Sequence, residues 1–177
     1  MVTFIVKSNT AKANFLLKDL PGSGRRVDIL CRCINSAFCL SHDIRRDVTL
    51  HLCFAGKTLK FVGSELKHLT PDERGIAILI RKALDGSPTP GVYVSEQSFE
   101  DLVAMHEGRV VYLNEHGEDI ATVPLNSEMC FVLAGHKGFN EGDQAFLEKI
   151  GQKVSLSPKI LHVDHCIIIA HNFLDRA

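Results

Sequence analysis

The stretch VSLSPKILHVDHCIIIAHNFLD, Val154 to Asp175, decides the reading of the fold. It opens on a short apolar strand, Val154–Leu156. Ser157-Pro158 follows, the pattern of an N-cap with proline at the first helical position. The helix predicted from there carries Ile160, Val163, Ile167, Ala170 and Leu174 on one stripe. Upstream, MCFVLAGHKGF (Met129 to Phe139) has the same form. A strand over Met129–Ala134 ends at Gly135, where the missing Cβ lets a ligand come close to the backbone.

Working outward, strands and helices alternate. Thr3–Lys7, Val48–Phe54, Leu59–Val62, Val92–Ser95 and Arg109–Leu113 read as strands. Val48, Leu50, Leu52 and Phe54 alternate with polar residues. Val27, Leu30, Cys31, Ile34, Ala37 and Phe38 keep helical spacing. Further helices are predicted from Pro71 to about Leu84, over Ser98–His106 and near Gln144–Ile150. The alternation predicts an α/β fold with a largely parallel sheet. Such sheets bind ligands at the carboxyl ends of their strands, which points to the turns after Leu113, Ala134 and Leu156.

The chain has 177 residues, 45% of them hydrophobic, enough for a core without disulfide or metal staples. Apolar runs such as Ile76–Ile80 and Cys166–Ala170 fall far short of the roughly 20 residues of a membrane helix. Met1–Val6 is too short for a signal-peptide core. The expectation is a soluble cytoplasmic protein whose six cysteines are free and mostly buried. The Gly86–Gly91 break carries two prolines, but either side of it is small, so one continuous domain over 1–177 is expected.

The net charge of −1 conceals an asymmetry. Residues 1–82 hold 14 Lys/Arg against 7 Asp/Glu, and residues 83–177 hold 6 against 14. A basic half of this kind suits a polyanion, as does an ordinary solvated surface. Within it, PGSGRRVD (Pro21 to Asp28) sets two glycines, Arg25 and Arg26 before a helix whose first amides can face a phosphate. No Gly-Lys-Ser/Thr follows, so it is not a P-loop, and the third glycine of a dinucleotide motif is missing. Asp28 and Arg32 stand one helical turn apart and share a face. That spacing fits a surface ion pair or a pair at a target base. Arg45 and Arg46, in SHDIRRDVTLHL, extend the basic region. No metal site is expected: His162, His165, Cys166 and His171 lack a zinc-ligand spacing. No Gly-x-Ser-x-Gly nucleophile motif occurs.

The segments FIVKSN, LKDLPGSGRRVDILCRCINSAF, LSHDIRRDV, LKFVGSELKHLTPDER, TPGVYVS, VYLNEHGEDI, FVLAGHKGF and SLSPKILHVDHC resemble, in order, those of the SPOUT tRNA pseudouridine(54) N1-methyltransferases. The resemblance spans essentially the whole chain. It implies a SPOUT-type parallel sheet flanked by helices, a C-terminal trefoil knot, and a homodimer that binds S-adenosylmethionine and tRNA. It implies cofactor contacts at Leu113, Leu133, Gly135, Leu156, Ser157, Pro158, Lys159, Ile160, Leu161 and Cys166, within a part of the chain spanning about 109–177. Beside His136 the family pattern leads one to expect an acidic residue, where this chain has Gly135. Asp28 and Arg32 become the expected residues at the base, with Arg25, Arg26, Arg45 and Arg46 on RNA. The alternatives are a pseudouridine in ribosomal RNA, a non-catalytic RNA-binding module, and a nucleotide-binding domain acting on small molecules.

Overall fold

The computed structural model describes residues 1–67 and 69–177. The chain runs β1 (Val2–Ser8), α1 (Val27–Phe38), β2 (Val48–Phe54), β3 (Lys57–Val62), α2 (Glu73–Leu84), β4 (Val92–Ser95) and α3 (Phe99–Ala104). It continues with β5 (Val110–Asp119), β6 (Cys130–Ala134), α4 (Glu141–Ile150), β7 (Gln152–Ser155) and α5 (Val163–Leu174). All strands join one sheet in the order β4-β3-β2-β1-β6-β5-β7. The run from β2 to β7 is parallel, while β3 and β4 are antiparallel additions at one edge. Strands from both sides of the Gly86–Gly91 break therefore share hydrogen bonds.

Helices cover both faces of the sheet. Phe4, Val6, Leu50 and Leu52 point to the face packed by α1, α2 and α5. Ile5, Tyr112 and Val132 point to the other, against Phe99, Val103 and Leu147 of α3 and α4. All seven residues of β2 are buried, Thr49 and His51 included. A parallel sheet under helices on both faces leaves no wet side.

Helix starts follow side-chain caps. Asp72 accepts the Gly75 N–H at 2.7 Å and opens α2, so Pro71 lies before the cap and not in the first turn. Ser98 accepts from Asp101 N–H and opens α3. The larger correction concerns Ser157-Pro158. They begin no helix: residues 156–162 form a loop, and α5 starts at Val163. Ile160, expected on the buried stripe, is 82% exposed, whereas Val163, Ile167 and Ala170 are buried. The loop is held by its own serines. Ser155 Oγ donates to the Ser157 carbonyl at 2.9 Å, and Ser157 Oγ accepts from Lys159 N–H at 3.1 Å.

Strand β5 runs past Leu113 by making an excursion. Leu113 and Glu118 both pair with Val154, so residues 114–117 bulge out between them. Asn114 closes this turn by accepting the His116 N–H at 2.9 Å.

Candidate active site

The parallel strand ends build one cavity of about 530 Å³. Its walls are Leu113 of β5, Leu133 and Ala134 of β6, Leu156 after β7, the loop that follows, and the first turn of α5. The volume lies within the 300–1,000 Å³ typical of small-molecule sites. Leu113, Leu133, Gly135, Leu156, Ser157, Lys159, Ile160, Leu161 and Cys166 all line it, and Pro158 does not. The sequence reading missed Ile29 of α1, Asn114 and Glu115 of the excursion, the run His136–Phe139, Gln144, and His162 with Val163. His136–Phe139 belongs to the glycine turn already singled out, so its extent was the missing information. Ile29 comes from the opposite end of the chain and has no local signal.

The glycine turn is tied down along its length. Gly135 N–H donates to the Lys7 carbonyl at 2.7 Å, extending the β1–β6 ladder into the loop. A Cβ at Gly135 would stand 3.3 Å from that carbonyl oxygen and 3.4 Å from Ser8 Cβ. Gly138, at φ 72°, donates back to the Gly135 carbonyl at 3.0 Å. Asn9 Nδ2 donates to the Gly138 carbonyl at 3.3 Å. Asn140 and Asp143 then form a capping box on α4. Polar backbone thus faces an apolar floor of leucines, a layout that orients one end of a ligand while burying the other.

Cys166 lines the cavity as a neutral thiol, because burial pushes its pKa up to about 11. Burial likewise raises Cys31 and Cys130 to about 12 and Cys53 to about 11. All six cysteines are free. Among the described residues no group of three or more His, Cys, Asp or Glu is placed to hold a metal.

The basic half contributes a second cluster. Asp28 is only 6% exposed, in the first turn of α1 next to Ile29. It accepts from Arg26 Nε and Nη2, both at 3.0 Å, and from Arg32 Nη2 at 3.1 Å. The Arg26 guanidinium is raised above its ordinary pKa by that hydrogen bond. Arg32 Nε is buried without a hydrogen-bond partner among the described residues and lies 3.8 Å from Glu73. Arg25 and Arg26 both hold positive φ, at 45° and 72°. Such backbone costs on the order of 1–3 kcal/mol per residue and clusters at functional sites. Asp28, Arg26 and Arg32 do not line the cavity, whereas Ile29, the residue after Asp28, does.

In the PGSGRRVD turn two amides already have a carboxylate partner. Asp19 takes the Gly22 and Ser23 N–H groups at 3.0 and 2.8 Å. Arg45 is committed to Asp175 at the end of α5, and Arg46 Nη1 donates to the Leu66 carbonyl at 2.8 Å. Arg46 also lines a smaller cavity of about 290 Å³ with His42 and Lys67.

Comparison with known proteins follows the same lines. A family described as "Putative SAM-dependent RNA methyltransferase" matches residues 1–177. A tRNA (pseudouridine(54)-N(1))-methyltransferase of Methanococcus aeolicus is 46% identical over 201 residues, covering 100% of this chain and 98% of that protein. The chain belongs to this methyltransferase family. The enzyme of the same name from Methanocaldococcus jannaschii is 44% identical, covering 99% of this family member and 97% of the relative. That of Haloferax volcanii is 42% identical, covering 100% and 98%. The crystal structure of Archaeoglobus fulgidus Nep1 bound to S-adenosylhomocysteine superposes with a TM-score of 0.73 at 13% identity, covering 99% of this chain and 97% of that one. At that identity the likeness speaks for the fold.

Proposed function

We propose that this chain transfers a methyl group from S-adenosylmethionine to N1 of a pseudouridine, at position 54 in the T loop of tRNA. The observation that carries the reading is the cavity at the turns after β5, β6 and β7, in a chain matched end to end by methyltransferases of that name.

The residues present fit the cofactor. Leu113, Leu133, Leu156, Leu161 and Cys166 offer apolar surface to an adenine ring, and the Gly135–Gly138 backbone offers hydrogen-bonding groups beside it. Any side chain at Gly135 would be tight against β1. When bound, S-adenosylmethionine supplies an electrophilic methyl on a sulfonium, which departs as the neutral thioether. Pseudouridine is joined to its sugar through carbon, leaving N1 with a proton and free to form the new N–CH3 bond as that proton is released to water.

What the protein supplies is alignment and charge. The Asp28 carboxylate already shares its charge with Arg26 and Arg32. That makes it a rigidly held acceptor, suited to orienting N1–H on a base drawn out of its stack. Arg32 faces the negative charge that develops on the base as N1 loses its proton. Arg25, exposed on the turn before α1, and Arg46, beside the second cavity, contact phosphates and position the RNA without reading its sequence.

Three further features belong to this reading. The chain acts as one continuous domain in the cytoplasm. Its C-terminal segment forms the trefoil knot, supported by α5 returning from the edge strand β7 to pack on α1. It works as a homodimer, supported by the exposure of Ile160 in the cavity wall, 82%, and of Ile168 on α5, 53%.

The test is incubation with methyl-labelled S-adenosylmethionine and paired tRNA transcripts, one with pseudouridine at position 54 and one with uridine. Label is expected in the pseudouridine transcript alone. Label in neither transcript, or equally in both, overturns the reading.

A further inference from the structure

Lys7 lies outside the cavity, yet three separate contacts run from it to the glycine turn that forms one cavity wall. Its carbonyl accepts the Gly135 N–H at 2.7 Å, where the turn begins. Its ammonium hydrogen-bonds Asp143, the 2%-exposed residue whose carboxylate accepts the Asn140 N–H at 3.3 Å and whose N–H donates to Asn140 Oδ1 at 2.8 Å. Asn140 is where the turn ends. The same ammonium lies 4.5 Å above the Phe99 ring, and that ring packs at 6.2 Å against Phe139, a wall of the cavity. Glu100, 3.8 Å away, is the other carboxylate facing it.

We propose that Lys7 is the positioning residue for the cofactor turn 135–140: one side chain and its own carbonyl hold both ends of that turn and brace its aromatic wall. The inference rests on the cofactor reading above. A buried ion pair is poor evidence of net stability, because desolvation offsets its attraction. Holding two loop ends at a fixed separation is a role that does not depend on that balance. A loop misplaced by about 1 Å can cost on the order of a hundredfold in a positioned reaction.

The experiment titrates S-adenosylhomocysteine calorimetrically into the full-length native chain, Lys7→Arg and Lys7→Met, and measures KM for S-adenosylmethionine and for tRNA separately. Lys7→Met is expected to weaken cofactor binding about tenfold or more and raise the cofactor KM in step, with the tRNA KM unchanged. Lys7→Arg, which keeps the charge, restores most of the affinity. Should Lys7→Met leave too little folded protein, Asp143→Asn keeps a capping oxygen for α4, removes the counter-charge, and is expected to show the same split. Native-like cofactor affinity in a folded Lys7→Met or Asp143→Asn variant, or equal rises in both KM values, overturns the proposal. No binding by the native chain overturns the cofactor reading itself, a separate outcome.

Discussion

The Arg45 guanidinium grips the Asp175 carboxylate through two hydrogen bonds, 2.8 and 2.6 Å, across 130 residues of sequence. The contact fastens the end of α5 to the segment leading into β2, and it pairs with a carboxylate an arginine expected on RNA. Arg45 holds the Asp175 carboxyl below its ordinary pKa. The folded-state value being lowered, the pair contributes at neutral pH and is lost in acid as pH falls through that value.

Asp175 is half exposed, so Asp175→Ala is expected to cost less than about 1 kcal/mol in urea unfolding at neutral pH. The same variant frees Arg45. Its tRNA affinity is expected to hold or rise, with a steeper dependence on salt. A fall in affinity at unchanged stability means that Asp175, and not Arg45, serves the RNA.

Asp28→Asn tests the base-orienting role. It keeps the size of the side chain and weakens the bonds from Arg26 and Arg32. Single-turnover methyl transfer is expected to drop about a hundredfold while S-adenosylhomocysteine affinity stays native, since Asp28 does not line the cavity. A rate within about threefold of native removes Asp28 from the chemistry.

Gly117 closes the β5 excursion against β7. A Cβ there would stand 2.5–2.6 Å from Val154 backbone atoms, which cannot rotate away as a side chain can. Gly117→Ala is therefore expected to pry β5 from β7, costing about 1–3 kcal/mol in denaturant unfolding. It should also weaken cofactor binding, because Asn114 and Glu115 in the same excursion line the cavity. An unchanged unfolding midpoint contradicts this.

His171 on α5 is buried, lies 3.1 Å from the Ala37 carbonyl through Nε2, and meets the Phe4 ring edge-on at 4.9 Å. Burial, with Arg45 nearby, lowers its pKa from 6.5 to about 4. His51, buried in β2, is lowered to about 4 as well, chiefly by burial. The unfolded chain takes up these protons near pH 6.5, whereas the folded chain does so only near 4. Stability is thus full above about pH 6.5 and declines as pH falls toward 4, each histidine removing about 1.4 kcal/mol for every pH unit crossed. Urea midpoints at pH 7 and pH 5 measure the decline, and His171→Phe should shrink it. Equal midpoints at the two pH values for the native chain count against this account.

Local patterns carried far into this structure. The apolar spacing of α1 and the stretch Val92–Ser95 marked their elements because a helix face or a strand is selected by neighbours a few residues away. The turns at Leu113, Gly135 and Leu156 were legible as the place for a cavity because a parallel sheet opens at its strand ends whatever the side chains. Ser157-Pro158 shows where local signals stop. A fair helix start became loop because Ser155 and Ser157 bond within the segment and its leucines line a cavity made by other strands. The excursion at 114–117 depends on Val154 pairing twice, and the Lys7–Asp143 bond joins residues 136 positions apart. Residue order along the chain thus accounts for the elements, the family and the strand ends that form the cavity. Which carboxylates the arginines pair with, where α5 begins and what contacts the glycine turn depend on contacts between distant residues, and those exist only once the sheet has brought its strands together.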